Sequence, residues 1–380
     1  MTLISAGAIA LDGRICRPGW LQTSGRRILD CGPGEPPAPA DFHAPDAVVV
    51  PGFVDIHAHG GDGASYTDAS SADIERAAAF HRRHGTTSTL ASLVTESPTD
   101  LLAALRVLAE ATQLDLVAGI HVEGPWLSPA QCGAHDRTQL RDPDPAEVDA
   151  ALAAGGGAIR MVTLAPERPG SEAAIARFVD AGVVVAVGHT DATYEQTQQA
   201  ITAGATVGTH LFNAMRPLHH REPGPVLALL QDPRVTVELI ADGVHLHPAL
   251  ALAVINAVGP ERVALVTDAT AAAGLGDGAF RLGPVQIDVV SGTARVHGTS
   301  TIAGSTATMD QLFRAVAGPD PRCDAVLAAA VQVTSATPAR VLGLDQVGTL
   351  RSRLDANLVV LDQDLQVTAV MANGEWVLGG

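Results

Sequence analysis

Histidine and carboxylate side chains recur in this sequence directly after short apolar runs. The first pair, His57 and His59, is separated by one alanine in V-D-I-H-A-H-G-G. Alternate residues of a strand point to the same face, so we expect these two imidazoles side by side. Such a pair forms half of a metal site or makes ordinary hydrogen bonds at a strand end. Later apolar runs lead to further residues of this kind: Glu123, His189, His210, His245 and Asp268.

Imidazole nitrogens and carboxylate oxygens are ligands that zinc and neighbouring divalent metals accept. A single residue of this kind at a strand end is more often a hydrogen-bonding residue than a ligand. Several of them meeting at one rim would be costly to bury without a cation. The recurrence therefore favours a metal site, provided that the fold brings these strand ends together.

Eight apolar runs of strand length alternate with helical segments, which predicts βα units and a parallel sheet. The predicted strands lie near residues 53–59, 86–92, 116–123, 159–164, 183–189, 206–211, 235–241 and 263–268. Helical segments are predicted at residues 72–84, 100–111, 146–154, 171–181, 194–203, 225–231 and 248–257.

This pattern predicts the α/β class and a (β/α)8 TIM-type barrel over residues 51–339. Such barrels carry their chemistry at the carboxyl ends of the strands, where the histidines and carboxylates fall. A doubly wound open sheet is the alternative, although no G-x-G-x-x-G follows the first strand to support a dinucleotide site. Short strands within residues 1–50 and 340–380, with a Pro- and Gly-rich connection near 31–45, predict a small β-sandwich domain formed by both chain ends.

The composition narrows the partners and cofactors. The net charge of −17 argues against nucleic acid and anionic membrane surfaces as partners. All 24 basic residues are arginine, which excludes a Schiff-base lysine, a P-loop lysine and a carbamylated lysine between two metals. The cysteines are scattered without C-x-x-C, and neither a signal peptide nor a membrane-spanning run is recognisable, so we expect a cytoplasmic protein.

Taken together, the motifs resemble those of the N-acetylglucosamine-6-phosphate deacetylase family in the amidohydrolase superfamily. The matching stretches are P-G-F-V-D-I-H-A-H-G, H-V-E-G-P-W-L, V-G-H-T-D-A-T, T-H-L-F-N-A-M, R-E-P-G, A-D-G-V-H, V-T-D-A-T, A-G-S-T-A-T-M-D and M-A-N-G. H-x-H occurs throughout the superfamily, whereas E-G-P-W with H-L-F-N-A-M is specific to this family. The resemblance implies metal-dependent hydrolysis of N-acetyl-D-glucosamine 6-phosphate to glucosamine 6-phosphate and acetate.

The resemblance also implies a ligand set. Glu123, His189 and His210 would hold one divalent metal, with zinc as the expected ion. Some family members lack the histidines of the first strand and use one metal. This chain keeps His57 and His59 and so resembles the two-metal members, in which Glu123 would bridge the ions. The sequence leaves open whether one or two metals bind per subunit.

Asp268, at the end of the eighth predicted strand, has two implied roles. As the catalytic residue it would take a proton from the attacking water and give it to the departing amine. As a metal ligand it would lie beside the same ion, and the sequence does not separate the two roles.

Five residues are implied to contact the phosphorylated amino sugar. The backbone N–H groups of Asn213 and Ala214 would bind the phosphate, and Arg221 would add a bidentate charge. His245 would lie near the sugar or the phosphate, and His135 would reach the ligand from the loop C-G-A-H. Because phosphate contacts cross a dimer interface in some members, we expect a homodimer, with Arg221 acting in its own or the partner's site.

Several alternatives stay open. The enzyme could instead be a deacetylase of another amino-sugar phosphate, of the galactosamine type, or an N-acyl amino acid hydrolase, and a non-catalytic binding barrel is the remaining class. Cys132 stands where relatives often have a basic residue, and the sequence allows both a thiol that affects the metal and a tolerated small residue. The remaining histidines are expected to be solvated: His43, His81, His84, His219, His220, His247 and His297.

Overall fold

The computed structural model describes residues 1–318 and 323–379, and these fall into two compact units. The first unit comprises residues 1–55 and 79–88 together with the described residues from 308 onward, and the second comprises residues 56–78 and 89–307. The domain boundaries expected from the sequence, which set residues 1–50 and 340–380 apart from 51–339, stay a prediction. Among the described residues, no helix has both the length and the apolar character needed to cross a bilayer.

The strands occur in three groups along the chain. The first five are β1 (Thr2–Leu11), β2 (Arg14–Cys16), β3 (Gly19–Ser24), β4 (Arg27–Pro33) and β5 (Phe42–Pro51). Next come β6 (Phe53–Asp55), β7 (Gly60–Gly61), β8 (Ala64–Ser65), β9 (Thr86–Leu93), β10 (Gly119–Glu123), β11 (Ile159–Leu164), β12 (Val184–Val187), β13 (Val207–Gly208), β14 (Thr236–Leu239) and β15 (Val263–Leu265). The last are β16 (Gly278–Leu282), β17 (Val285–Val290), β18 (Thr293–Val296), β19 (Leu358–Leu361), β20 (Val367–Ala372) and β21 (Glu375–Leu378).

Helices follow most strands of the middle group. They are α1 (Ser71–Arg83), α2 (Pro98–Gln113), α3 (Pro145–Gly155), α4 (Ser171–Asp180), α5 (Tyr194–Ala203), α6 (Gly224–Gln231), α7 (Pro248–Val258), α8 (Met309–Ala317), α9 (Asp324–Val331) and α10 (Thr337–Val341). Their starts follow local signals: Thr193 and Gln196 form a reciprocal capping box at α5, and the side chain of Asp144 accepts hydrogen bonds from the first turn of α3.

The βα units form one sheet of eight strands in the order β15-β14-β13-β12-β11-β10-β9-β6. Neighbouring strands from β9 to β15 are parallel. Beyond the strands, Asp268 N–H donates to the carbonyl of His57 at 2.8 Å, and His59 N–H donates to the carbonyl of Ala269 at 2.8 Å. These bonds join the segments after the eighth and first strands, so the sheet is a nearly closed barrel and the predicted (β/α)8 fold is confirmed.

Strands from both chain ends form a second sheet within the first unit, as the sequence predicts. Its order is β21-β20-β19-β5-β1-β3-β4, with β2 paired to β1. The stretch predicted as a connection at 31–45 instead includes the start of β5, which pairs in parallel with β1. Pairing with a neighbouring strand outweighs the local Pro and Gly content there. Ile4 and Ile9 of β1 and Leu21 of β3 are buried in the core of this sheet.

Candidate active site

The carboxyl ends of the barrel strands surround a cavity of about 490 Å³ within the second unit. Its lining includes nine of the residues expected from the sequence: His59, Glu123, His135, His189, His210, Asn213, Ala214, His245 and Asp268. His57 is fully buried and lies against His59 and Glu123. Cys132 also lines the cavity. The convergence of strand ends that the metal hypothesis requires is therefore present.

Four of these residues have a backbone conformation that residues with a Cβ rarely adopt: Ala214, with a φ of 47°, and three residues that follow barrel strands. His189, His210 and Asp268 have φ values of 46°, 25° and 49°. Residues with a Cβ avoid this left-handed region, and those that occupy it cluster at functional sites held by their surroundings. Each of the three lies just beyond its strand, where the left-handed turn releases the side chain from the alternation of the strand.

One group of possible ligands joins the third, fifth and sixth strands. Oε1 of Glu123 lies 3.2 Å from Nε2 of His189 and 3.1 Å from Nε2 of His210. The two imidazole Nε2 atoms are themselves 3.1 Å apart. All three residues are buried, and their facing atoms are close enough to hold one metal ion.

A second group shares Glu123 with the first. Nε2 of His57 and Nε2 of His59 are 3.2 Å apart, and Oε2 of Glu123 lies 3.4 Å and 3.2 Å from them. Oδ1 of Asp268 lies 3.5 Å from Nε2 of His57 and 3.2 Å from Nε2 of His59. Glu123 therefore presents one oxygen to each group, which is the arrangement expected of a bridging carboxylate.

The outer ring nitrogens of three histidines show which tautomer each ring adopts. Nδ1 of His57 lies 3.1 Å from Oε2 of Glu238, Nδ1 of His59 lies 3.1 Å from the carbonyl oxygen of Ser92, and Nδ1 of His189 lies 2.9 Å from that of Gln131. Carboxylate and carbonyl oxygens accept, so each Nδ1 carries the proton and donates. In the neutral rings, the Nε2 lone pairs then face one another and the Glu123 carboxylate.

Lone pairs and carboxylate charges that converge in a buried site need a cation between them. The donor set is imidazole nitrogen and carboxylate oxygen, which suits zinc and similar divalent ions. The residues present therefore fit a metal centre, as the residue types in the sequence suggested.

The pKa shifts of the buried side chains also indicate that this site favours positive charge. Burial acts to lower the pKa of His59, but hydrogen bonds to Asp268 and Glu123 outweigh it and raise that pKa to about 9. Burial also acts to lower the pKa of His57. The charges of Glu123 and Asp268 outweigh it, so the pKa of His57 is raised well above its ordinary value. Burial acts to raise the pKa of Asp268, and the charge of His57 with the hydrogen bond from His59 lowers it overall, so this carboxylate is ionised.

His135 differs from the other histidines of the cavity. Its Nδ1 accepts a hydrogen bond from the backbone N–H of Thr95 at 3.1 Å, so in the neutral ring the proton lies on Nε2. That Nε2 is 3.4 Å from Oε2 of Glu123. Burial, together with the charge of His189, lowers the pKa of His135 to about 4, so the ring is neutral at pH 7. His135 is thus a neutral N–H donor pointing at the ligand groups.

The A-G-S-T stretch of the sequence holds the end of the eighth strand. Ser305 N–H donates to the carbonyl of Asp268 at 2.8 Å, and Thr270 N–H donates to the carbonyl of Ser305 at 3.0 Å. At Gly304, where φ is 56°, a Cβ would lie 2.7 Å from the carbonyl oxygen of Asp268. The motif therefore fixes the backbone of Asp268 by close approach.

The residues predicted to contact the phosphate are not all at the cavity. Asn213 N–H already donates to the carbonyl of His210 at 3.0 Å, whereas Ala214 N–H makes no hydrogen bond with the described residues. His245 lines the cavity and is held by Asp242, whose Oδ2 lies 2.8 Å from its Nδ1. Arg221 is exposed, does not line this cavity in the described part of the chain, and has Nη1 2.8 Å from Nε2 of His220.

Two buried residues below the cavity escaped the sequence reasoning. Glu238 lies within β14, and His121 lies within β10, where its ring nitrogens contact the hydroxyls of Ser92 and Thr163 at 3.0 Å and 2.8 Å. A charged residue inside the apolar run V-T-V-E-L-I-A was the available signal for Glu238. The expectation that His81 is solvated is wrong, because this side chain of α1 is fully buried in an apolar helix face.

Comparison with known proteins identifies relatives along nearly the whole chain. A sequence model of the Amidohydrolase family matches residues 48–377. N-acetylglucosamine-6-phosphate deacetylase of Danio rerio is 40% identical over 87% of this chain and 84% of its own. N-acetylgalactosamine-6-phosphate deacetylase of Escherichia coli O157:H7 is 36% identical over 94% and 95%. The structure of a mutant N-acetyl-D-glucosamine-6-phosphate deacetylase from Mycobacterium smegmatis, in complex with N-acetyl-D-glucosamine-6-phosphate, is 54% identical, covers 99% of both chains and has a TM-score of 0.97.

Proposed function

This chain belongs to the amidohydrolase family and, within it, to the N-acetylglucosamine-6-phosphate deacetylases, and on that premise we propose which of its residues perform the reaction. The reaction is hydrolysis of the acetamide of N-acetyl-D-glucosamine 6-phosphate, which yields glucosamine 6-phosphate and acetate. The observation that carries the assignment of residues is the convergence of four imidazole Nε2 atoms on the two oxygens of Glu123.

Two divalent cations per subunit are proposed, with zinc as the ion. Glu123, His189 and His210 would hold one, and His57 and His59 would hold the other with Glu123 as the bridge and Asp268 beside it. The measurement is metal content after dialysis against a low concentration of free zinc. We expect two equivalents in the parent and one in His57→Ala, whereas one equivalent in both proteins would contradict the second site.

Asp268 is the proposed proton carrier. A divalent cation bound here supplies Lewis acidity, which activates water and polarises the acetamide carbonyl. Asp268 is ionised and borders the cavity, so it can accept a proton from the attacking water. The protonated carboxyl then donates to the departing nitrogen, which leaves as the amine of glucosamine 6-phosphate and restores the carboxylate.

His135 is proposed to bind the acetamide oxygen. Its Nε2 carries the proton because Nδ1 accepts from Thr95, and the ring is neutral at pH 7. A fixed N–H donor of this kind stabilises the negative charge that develops on the carbonyl oxygen during attack. The loop that carries His135 passes close to the proposed metal ligand His189, since a Cβ at Gly133 would lie 3.0 Å from Cε1 of that ring.

The phosphate end of the substrate is proposed to contact Asn213, Ala214, His245 and Arg221. Within one chain, the cavity offers Ala214 N–H and the ring of His245 as donors for this contact. Burial opposes protonation of His245, but its hydrogen bond to Asp242 outweighs this and raises the pKa, which favours a positive charge facing the ligand. Arg221 is exposed and does not line the cavity of its own chain, which favours a homodimer in which Arg221 serves the partner's site.

A galactosamine-type substrate is the second candidate, because one relative that matches nearly the whole chain is an N-acetylgalactosamine-6-phosphate deacetylase. The two sugars differ only in the orientation of one hydroxyl. Comparison of kcat/KM for the two phosphorylated sugars decides between them. We expect the glucosamine form to be preferred, and a higher value for the galactosamine form would reverse the assignment.

A cytoplasmic location is also proposed. The four cysteines are all free in the structure, as is usual in a reducing compartment. Fractionation of cells that produce the chain should recover it with cytoplasmic markers, and recovery with membranes or in the medium would contradict this.

A further inference from the structure

Glu238 is a fully buried carboxylate in the middle of β14. Its Oε2 lies 3.1 Å from Nδ1 of His57 and 3.1 Å from the backbone nitrogen of His210. Its Oε1 has no hydrogen-bond partner among the described residues. A single oxygen thus accepts from one residue of each proposed cation site.

The contact with His57 determines which nitrogen of that ring can bind a cation. A carboxylate accepts at Nδ1 and so keeps the proton there, which leaves the lone pair on Nε2, the atom that faces His59 and Glu123. The contact with His210 is different, because it fixes the backbone at a residue with a φ of 25°. The side chain of His57 therefore depends on Glu238 more directly than that of His210 does.

We propose that Glu238 is a positioning residue that makes the His57–His59 site competent to bind its cation. This inference rests on the two-cation site proposed above. A buried carboxylate in an apolar strand is costly, and two others, Glu123 and Asp268, already contact His57. A third carboxylate beside the same ring is stabilised when a cation occupies the site. We therefore expect Glu238 to act when the cation is bound.

The test starts from metal-free Glu238→Gln and Glu238→Leu. It measures the zinc bound per subunit after each variant is equilibrated with graded concentrations of free zinc. Removal of a carboxylate that orients a ligating histidine weakens metal binding by about 10- to 100-fold. We expect that loss for the second equivalent in the Leu variant, a smaller loss in the Gln variant, which keeps an acceptor oxygen, and little change for the first equivalent.

Thr163→Val is the matched control. Thr163 is buried in the same barrel interior, and its backbone pairs with Glu123 in the sheet. Its hydroxyl, the group that valine removes, bonds His121 and Thr209 and none of the proposed ligands. A purely structural role for Glu238 would lower the melting temperature with and without zinc alike, as we expect for Thr163→Val. A positioning role reduces the rise in melting temperature that zinc produces.

The outcomes are distinguishable. Two equivalents with parental affinity in both Glu238 variants would overturn the role of Glu238 and leave the two-cation site standing. A single equivalent in the parent itself would overturn the two-cation site, and the role of Glu238 would fall with it. If the Leu variant does not fold, the Gln variant and its zinc-dependent melting temperature carry the test.

Discussion

At the scale of single residues, the ring nitrogen that carries the proton determines what each histidine of the site can bind. Carbonyl and carboxylate oxygens hold the proton of His57, His59 and His189 on Nδ1, so the lone pairs of Nε2 face inward. His135 has the opposite tautomer, because Thr95 donates to its Nδ1. The protein thereby separates imidazoles that can bind a cation from one that can only donate a hydrogen bond.

Asp268→Asn tests the proton carrier. The amide keeps the size of the side chain but cannot accept and return a proton, so we expect kcat to fall by roughly 10²-fold or more. Because Glu123, His189 and His210 are unchanged, at least one equivalent of metal should remain. Turnover close to that of the parent would remove Asp268 from this role and leave it as a ligand.

At the scale of elements, each strand end is held by a neighbouring segment, and the A-G-S-T stretch does this for Asp268. Its backbone bonds fix Ala269 and Ser305 side by side, and Gly304 approaches the carbonyl of Asp268 without room for a side chain. Gly188 has a similar place before His189, where a Cβ would lie 2.6 Å from Cβ of Thr209. Small residues next to the strand ends therefore set the positions of the reactive groups.

Gly304→Ala tests this support. The new Cβ would lie 2.7 Å from the carbonyl oxygen of Asp268 and would displace the backbone of that residue. Because misplacement of a reacting group slows the chemical step, we expect kcat to fall by roughly 10- to 100-fold. Gly298→Ala is the control, because Gly298 also has a positive φ, 72°, but a Cβ there meets nothing within 4 Å. Equal kcat values in the two variants would show that backbone strain alone, and not contact with Asp268, explains the loss.

Glu96, just beyond β9, is a half-buried carboxyl whose ionisation the fold opposes. Burial, together with the charges of Asp100, Asp136 and Asp68, raises the pKa of Glu96 to about 7. A carboxyl with a raised pKa destabilises the fold when ionised, so the penalty is absent below its ordinary pKa of about 4.5, grows up to about pH 7 and is complete above it.

We therefore expect Glu96→Gln to raise the free energy of unfolding at pH 8 by about 1 kcal/mol, a value reduced for solvent screening, and to leave it unchanged near pH 4. Denaturant unfolding at both pH values is the measurement. Glu195→Gln, on the exposed face of α5, is the control and should show no such difference. An equal effect of Glu96→Gln at both pH values would contradict the argument.

Much of this arrangement could be predicted from the sequence. The alternation of apolar runs and helical segments indicates the barrel, and the polar residues after those runs indicate the metal centre. The strands end earlier than expected, as in Val207–Gly208, because the chain leaves the sheet where His210 turns into the left-handed region. Glu238 and the Nδ1 contacts could not be predicted, because these contacts join segments far apart in the chain.

At the scale of the whole molecule, the proposed phosphate contacts include a residue, Arg221, that does not line the cavity of its own chain. Among the residues that the structure describes, no arginine lines the cavity, although an anionic phosphate favours a positive partner. Arg221, for which the family resemblance implies this role, lies exposed on the loop after the sixth strand. We accordingly expect the active form to contain two chains.

Mixed dimers of Arg221→Ala and Asp268→Asn test this expectation. If Arg221 serves the partner's site, a mixed dimer contains one complete site, formed by Asp268 of one chain and Arg221 of the other. Refolding the two inactive variants together should then restore part of the activity on the phosphorylated sugar. If Arg221 acts in its own chain, both sites of the mixed dimer are defective and no activity returns.

The most direct test of the central claim is amine release from N-acetylglucosamine 6-phosphate, with the unphosphorylated sugar alongside, before and after chelation. We predict rapid release from the phosphorylated sugar only, loss of this activity with a chelator and recovery on addition of zinc. Equal release from both sugars would contradict the phosphate contacts, and activity that survives complete removal of metal would contradict the metal centre.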